Sequence, residues 1–156
     1  MSRGKRGRYP FLIVPLEKQA PNCTIVYMEV IVDTNIFLAV VLDESEKEKI
    51  IGLTAQTDAV APEILPCEIA NAVSAMLKRK QITQDEVISV YRVANEIPVR
   101  LVPADIQLAL ELAIEFNVYA YDAYFLQCAL SLQLPMLTLG SQMKQVAQAL
   151  DINLLK

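Results

Sequence analysis

The chain has 156 residues, of which 54 % are hydrophobic and 21 % charged, with a net charge of −4 and no histidine. That length suits one domain around one core, and so apolar a composition excludes a disordered chain. Without histidine, Ser-His and Cys-His catalysis are excluded. Hydrolytic chemistry must then come from carboxylates, lysine, or a carboxylate-bound hard ion such as Mg2+ or Mn2+.

Residues 1–27 hold Arg3, Lys5, Arg6, Arg8 and Lys18 against Glu17 alone, with Pro10, Pro15 and Pro21 and no sustained periodicity. They read as an N-terminal extension, either the product of an upstream start or a basic arm that touches RNA. The apolar stretch Phe11–Leu16 is far below the roughly 18 residues of a membrane span and lacks the features of a secretory signal. The expected setting is the cytoplasm, with no membrane partner. The remainder is more acidic than the whole, which argues against a broad basic nucleic-acid face. Cys23, Cys67 and Cys128 are odd in number and form no CxxC pair, so disulfides are not expected. Cys67 and Cys128 read as small buried hydrophobes.

From Met28 the pattern alternates strands and helices. Val30-Ile31-Val32 is a β-branched run of the kind buried on both faces of a parallel sheet. Helices are predicted over Ile36–Leu42 and Ser45–Gln56, then a strand over Ala59–Ala61 and a long helix over Pro62–Lys80. Thr83 and Glu86 form a capping box that opens a helix to Glu96. Pro98–Val102 is predicted as a strand, followed by helices over Pro103–Asn117 and Asp122–Leu132. The chain ends in a strand over Met136–Leu139, a helix over Ser141–Leu150 and a last strand over Ile152–Leu155. Repeated β-α units predict an α/β domain over residues 28–156 with a mainly parallel sheet. Such sheets bind ligands beyond the carboxyl ends of their strands.

Three acids stand where apolar residues or plain loops would be expected. Asp33 directly follows the first strand, with Thr34 and Asn35 beside it; it reads as a site residue, as a helix N-cap or as a plain loop acid. Glu68 falls within the apolar arc of Ile64, Leu65, Ile69, Ala72, Val73 and Met76, where a carboxylate is costly unless paired or metal-bound. Its other readings are an ion pair with an arginine, or a position at the arc's edge reaching solvent. Asp122 lies on the face defined by Phe125, Leu126, Ala129 and Leu130, at the predicted helix start, where capping is again an alternative. One explanation covers all three. They converge on a site where a divalent ion relieves their repulsion, activates a water and steadies a phosphoryl oxygen. Lys78-Arg79-Lys80 closes the helix that carries Glu68, either as a solvated helix end or as an RNA phosphate contact.

These residues resemble the motifs of PIN-domain nucleases. Ile31-Val32-Asp33-Thr34-Asn35 is similar to the first motif and Pro66-Cys67-Glu68-Ile69-Ala70-Asn71-Ala72 to the second. Tyr121-Asp122-Ala123-Tyr124-Phe125-Leu126 is similar to the third, and Thr138-Leu139-Gly140 to the last. Motif order and spacing are similar to the toxin members of bacterial toxin–antitoxin pairs. The resemblance implies a three-layer α/β/α sandwich and Mg2+- or Mn2+-dependent cleavage of RNA by Asp33, Glu68 and Asp122. It adds Thr34, Asn35, Thr138 and Ser141 as accessory polar groups, a homodimer, and inhibition by a cognate antitoxin. One departure stands out: Gly140 occupies the place where the last motif usually carries an acid.

The competing reading is a PIN-fold module that binds RNA or protein with weak or no activity, marked by Gly140. A phosphotransfer enzyme fits poorly. The haloacid dehalogenase-like pattern needs an acid at Asn35, and the acidic pair and late lysine of a receiver are missing. No Gly-rich phosphate loop is present.

Overall fold

The computed structural model describes residues 27–156. The extension read for residues 1–27 lies outside the described residues except for Tyr27, as does Cys23. Four parallel strands form the sheet in the order β3-β2-β1-β4: β1 (Met28–Val32), β2 (Thr57–Pro62), β3 (Arg100–Val102) and β4 (Met136–Leu137). Val30, Ile31 and Val32 are fully buried, as a central strand covered on both faces requires.

Helices α1 (Thr34–Val41) and α2 (Lys47–Thr54) link β1 to β2, and α3 (Leu65–Lys78) and α4 (Gln84–Asn95) link β2 to β3. The return from β3 to β4 carries α5 (Ile106–Phe116) and α6 (Ala120–Leu132), and α7 (Ser141–Ala149) follows β4. Parallel crossovers are right-handed. Strands β1, β2 and β3 therefore step one way with α1–α4 on one face, and the return step puts α5 and α6 on the other. The domain is the three-layer α/β/α sandwich, with α6 packed on β1 and β2.

Several boundaries differ from those predicted. Pro62 ends β2, paired with Val102, so α3 starts only at Leu65 with Pro66 in its first turn. There a missing N–H costs nothing. Helix α5 starts at Ile106 because the Asp105 side chain accepts the Leu108 N–H at 3.1 Å. Its left-handed C-cap is Asn117, as the pattern predicted. Helix α6 starts at Ala120 with Tyr119 as N-cap, so Asp122 sits inside the first turn. The strand predicted over Ile152–Leu155 is a single parallel bridge between Met136 and Leu154, since β4 offers only two residues for pairing. The capping box is present: Thr83 N–H donates to Glu86 Oε2 at 2.7 Å.

Cys128 is buried as expected, and burial pushes its thiol up to about 11. Cys67 is exposed on the outer side of α3, contrary to the reading from sequence. Its place beside Glu68 on the helix turns it away from the sheet.

Candidate active site

The strand order places a topological switch point between β1 and β4, where the chain's progress across the sheet reverses. Asp33 lies at the carboxyl end of β1 and Thr138 at that of β4. The backbone sets this up: Asp33 N–H donates to Leu137 O at 3.1 Å and Ile31 N–H to Pro135 O at 2.8 Å.

Asp33 is 4 % exposed and is the N-cap residue of α1, yet its side chain makes no capping hydrogen bond. It accepts from Thr138 Oγ1 at 2.6 Å and from Asn35 Nδ2 at 2.7 Å, both on Oδ2. Asn35 Oδ1 accepts the Leu139 N–H at 3.2 Å, and Thr138 Oγ1 accepts the Gly140 N–H at 3.0 Å. Asn35 thus ties the start of α1 to the loop after β4 and orients Asp33 with the same amide. Burial raises the Asp33 carboxyl to about 6. The charge of Asp122 adds to the rise, and the bonds from Thr138 and Asn35 oppose it.

Glu68 is half-buried on the inner side of α3, one turn in. Thr34 Oγ1 donates to its Oε2 at 2.6 Å. Burial, then the charges of Asp33 and Asp122, push its carboxyl up to about 7, against the pull of that hydrogen bond. Asp122 is half-buried on α6, and burial raises its carboxyl as well. Glu68 therefore has a threonine partner rather than the arginine considered from sequence. Among the described residues the ion pairs are Lys47–Asp43 and Arg100–Glu29, and neither touches these three acids.

The three carboxylates are within electrostatic reach of one another. As the side chains stand, however, no group of three or more acids, cysteines or histidines among the described residues is close enough to hold a metal ion. The chemistry of the donor set does fit a hard divalent cation. It consists of oxygen donors only, its members are destabilised as anions by burial and mutual repulsion, and none has a cationic partner among the described residues. Mg2+ readily keeps several waters, so widely set carboxylates can share an ion through them.

The remaining candidates divide. Thr34, Asn35 and Thr138 belong to the network. Ser141, the first residue of α7, is exposed and makes no hydrogen bond to it. Lys78, Arg79 and Lys80 are exposed at the far end of α3, about 15 Å along the axis from Glu68 at 1.5 Å per residue, so the fold does not bring them to the acids. Gly140 has φ −65°, and a Cβ there would meet Thr138 Oγ1 at 3.4 Å and Met143 Cβ at 3.5 Å, ordinary contacts.

The PIN domain family model matches residues 30–149. Two solved structures share the fold at 15 % identity. One is VapBC2 from Rickettsia felis, bound to a DNA fragment from its promoter, with TM-score 0.57 over 81 % of this chain and 97 % of that one. The other is PAE2754 from Pyrobaculum aerophilum, with TM-score 0.58 over 79 % of this chain and 87 % of that one. No curated protein matches the sequence.

Proposed function

The chain belongs to the PIN domain family, and from that premise we propose that it is a metal-dependent endoribonuclease acting in the cytoplasm as the toxin of a toxin–antitoxin pair. The observation that carries the reading is the buried Asp33 at the switch point, with Glu68 and Asp122 within reach of its charge and no cation paired to any of them among the described residues. Asp33, Glu68 and Asp122 would hold Mg2+ or Mn2+. When bound, the ion supplies an activated water and charge stabilisation for in-line displacement at a phosphodiester. Thr138 and Asn35 fix Asp33 through Oδ2 and leave Oδ1 without a side-chain donor. Thr34 fixes Glu68 through Oε2 and leaves Oε1 open. These bonds hold the acids in orientation while their charge is unneutralised.

The toxin assignment draws on motif order and on the shared fold with VapBC2. A homodimer is part of it, supported by α5, which leaves Ile114 82 % and Leu110 45 % exposed. Among the described residues no helix is long and apolar enough to cross a membrane. The test is cleavage of mixed single-stranded RNA with Mn2+ or Mg2+, with chelator, and with Asp33→Asn. Loss of cutting in the last two supports the reading; cutting that survives Asp33→Asn and chelation overturns it.

A second reading has one specific observation in its favour. Gly140 leaves the last motif without an acid, and no ready group of three metal-ligating side chains stands in the described residues. On that reading the fold is kept as an RNA- or protein-binding module.

A further inference from the structure

We propose that the cavity walled by Glu63, Ile64, Ala104, Ile106 and Tyr124 is a nucleobase subsite that takes a base bearing an exocyclic amino group from single-stranded RNA; this rests on the ribonuclease reading. The cavity has a volume of about 250 Å3. It opens on the same edge of the sheet as the acids. Glu63 follows β2, and its N–H donates to Val102 O at 2.9 Å, which joins the ends of β2 and β3. Ile64 caps α3, and its carbonyl accepts the Glu68 N–H at 3.0 Å, so wall and acid are one helical turn apart on one face. Helix α6, packed on β2, carries both Asp122 and Tyr124.

The walls specify the occupant. Three are aliphatic and one is an aromatic ring, which suits a planar, weakly hydrated group. The Tyr121 ring packs edge-on against Tyr124, with centroids 6.1 Å apart and planes at 87°, which holds that ring in place. Glu63 is the one charged lining group. It repels phosphate and accepts hydrogen bonds, so it favours the amino edge of cytosine, adenine or guanine over uracil. Ile106 is 60 % exposed at the mouth, an apolar group without cover in the folded chain. The volume lies below that of drug-sized sites, room for one base but not for a partner's helix.

The test uses the full 156-residue chain with methyl-labelled isoleucine and no added metal. Hexaribonucleotides of a single base type are titrated while the Ile64 and Ile106 methyl resonances are followed. Expected are ring-current shifts at both methyls, with adenine, cytosine or guanine hexamers binding tighter than uracil. Tyr124→Ala weakens binding about tenfold and Tyr124→Phe less than about twofold. Glu63→Gln narrows the preference against uracil about fivefold. If Tyr124→Ala does not fold, Ile106→Gln, at an exposed position, serves in its place, with weaker binding read at the Ile64 methyl alone. RNA that binds while both methyls stay unmoved, and is cut once Mn2+ is added, overturns the subsite and leaves the ribonuclease standing. Methyls moved by acetyl-arginine amide and not by RNA overturn it in favour of a cationic side chain from a protein partner. A chain that neither binds RNA in this titration nor cuts it with Mn2+ overturns both.

Discussion

Thr138 Oγ1 lies 2.6 Å from Asp33 Oδ2, a hydrogen bond between residues 105 apart that closes the switch point of the sheet. A buried anion that loses one of its two side-chain donors is destabilised, on the order of 1–3 kcal/mol. Thr138→Val is therefore expected to lower stability by that order at pH 8, where Asp33 is ionised, and by less at pH 5, where it is largely protonated. Thr138→Ser keeps the donor and should restore most of the loss. Denaturant titrations of the three proteins at both pH values check this; an equal loss at the two pH values would assign the effect to packing.

Raised carboxyl pKa values carry a definite sign. The folded chain holds protons on Asp33 up to about pH 6 and on Glu68 up to about pH 7, whereas the unfolded chain releases them near 3.8 and 4.5. In that window the folded state binds more protons, so stability falls as pH rises. For Asp33 alone the change between pH 5 and pH 8 is roughly 1 kcal/mol, about 4 °C in melting temperature. Metal-free protein should melt higher at pH 5 than at pH 8. A melting temperature that climbs with pH would show that the acids are already neutralised.

Divalent ions should reverse that penalty. At a free concentration of about 100 times the dissociation constant, a ligand of the native state alone adds roughly 2.7 kcal/mol. Asp122→Asn removes one charge that raises both Asp33 and Glu68. It should stabilise the metal-free protein and abolish most of the response to Mn2+. Identical melting curves for wild type with and without saturating Mn2+ would remove the metal site.

Gly140→Asp is expected to raise Mn2+ affinity and RNA cleavage. The backbone at φ −65° accepts any residue, and the added Cβ meets only ordinary contacts. Gly140 is also the N-cap of α7, where aspartate is favoured, so the new carboxylate has a competing use as a cap. Cleavage by wild type, Asp33→Asn and Gly140→Asp across Mn2+ concentrations separates the outcomes. If the first two are equally inert and the third restores nothing, the binding-module reading replaces the nuclease.

A chain beginning at Met28 should fold cooperatively, because residues 1–27 show no periodic apolar face. Its thermal transition, compared with that of the full chain, is the measurement. A broad, non-cooperative transition would put the extension in the core.

The layers were legible where local pattern and burial agree. Val30-Ile31-Val32 could only be a central strand, and Thr83 with Glu86 marked a helix start unaided. Pro62 misled because a proline that closes a strand and one that opens a helix look alike in sequence. The last strand misled because apolar alternation at Ile152–Leu155 does not reveal that β4 offers only two residues to pair with. At the site, Asp33, Glu68 and Asp122 stood out as acids on inward faces. What they touch did not, because the bonds from Thr34 to Glu68 and from Leu139 to Asn35 span 34 and 104 residues. The cavity beside them draws its walls from two crossovers, so no single stretch of sequence announces it.

Strand β1 is flanked by β2 early in the sequence and by β4 only at residues 136–137. A chain made from its N-terminus therefore carries an open β1 edge, with the Ile31 and Asp33 amides unmatched, until almost the whole domain has left the ribosome. Asp33 gains its threonine only then. The bond that orients Asp33 is thus among the last contacts the fold can make, since its two residues lie 105 apart in the chain.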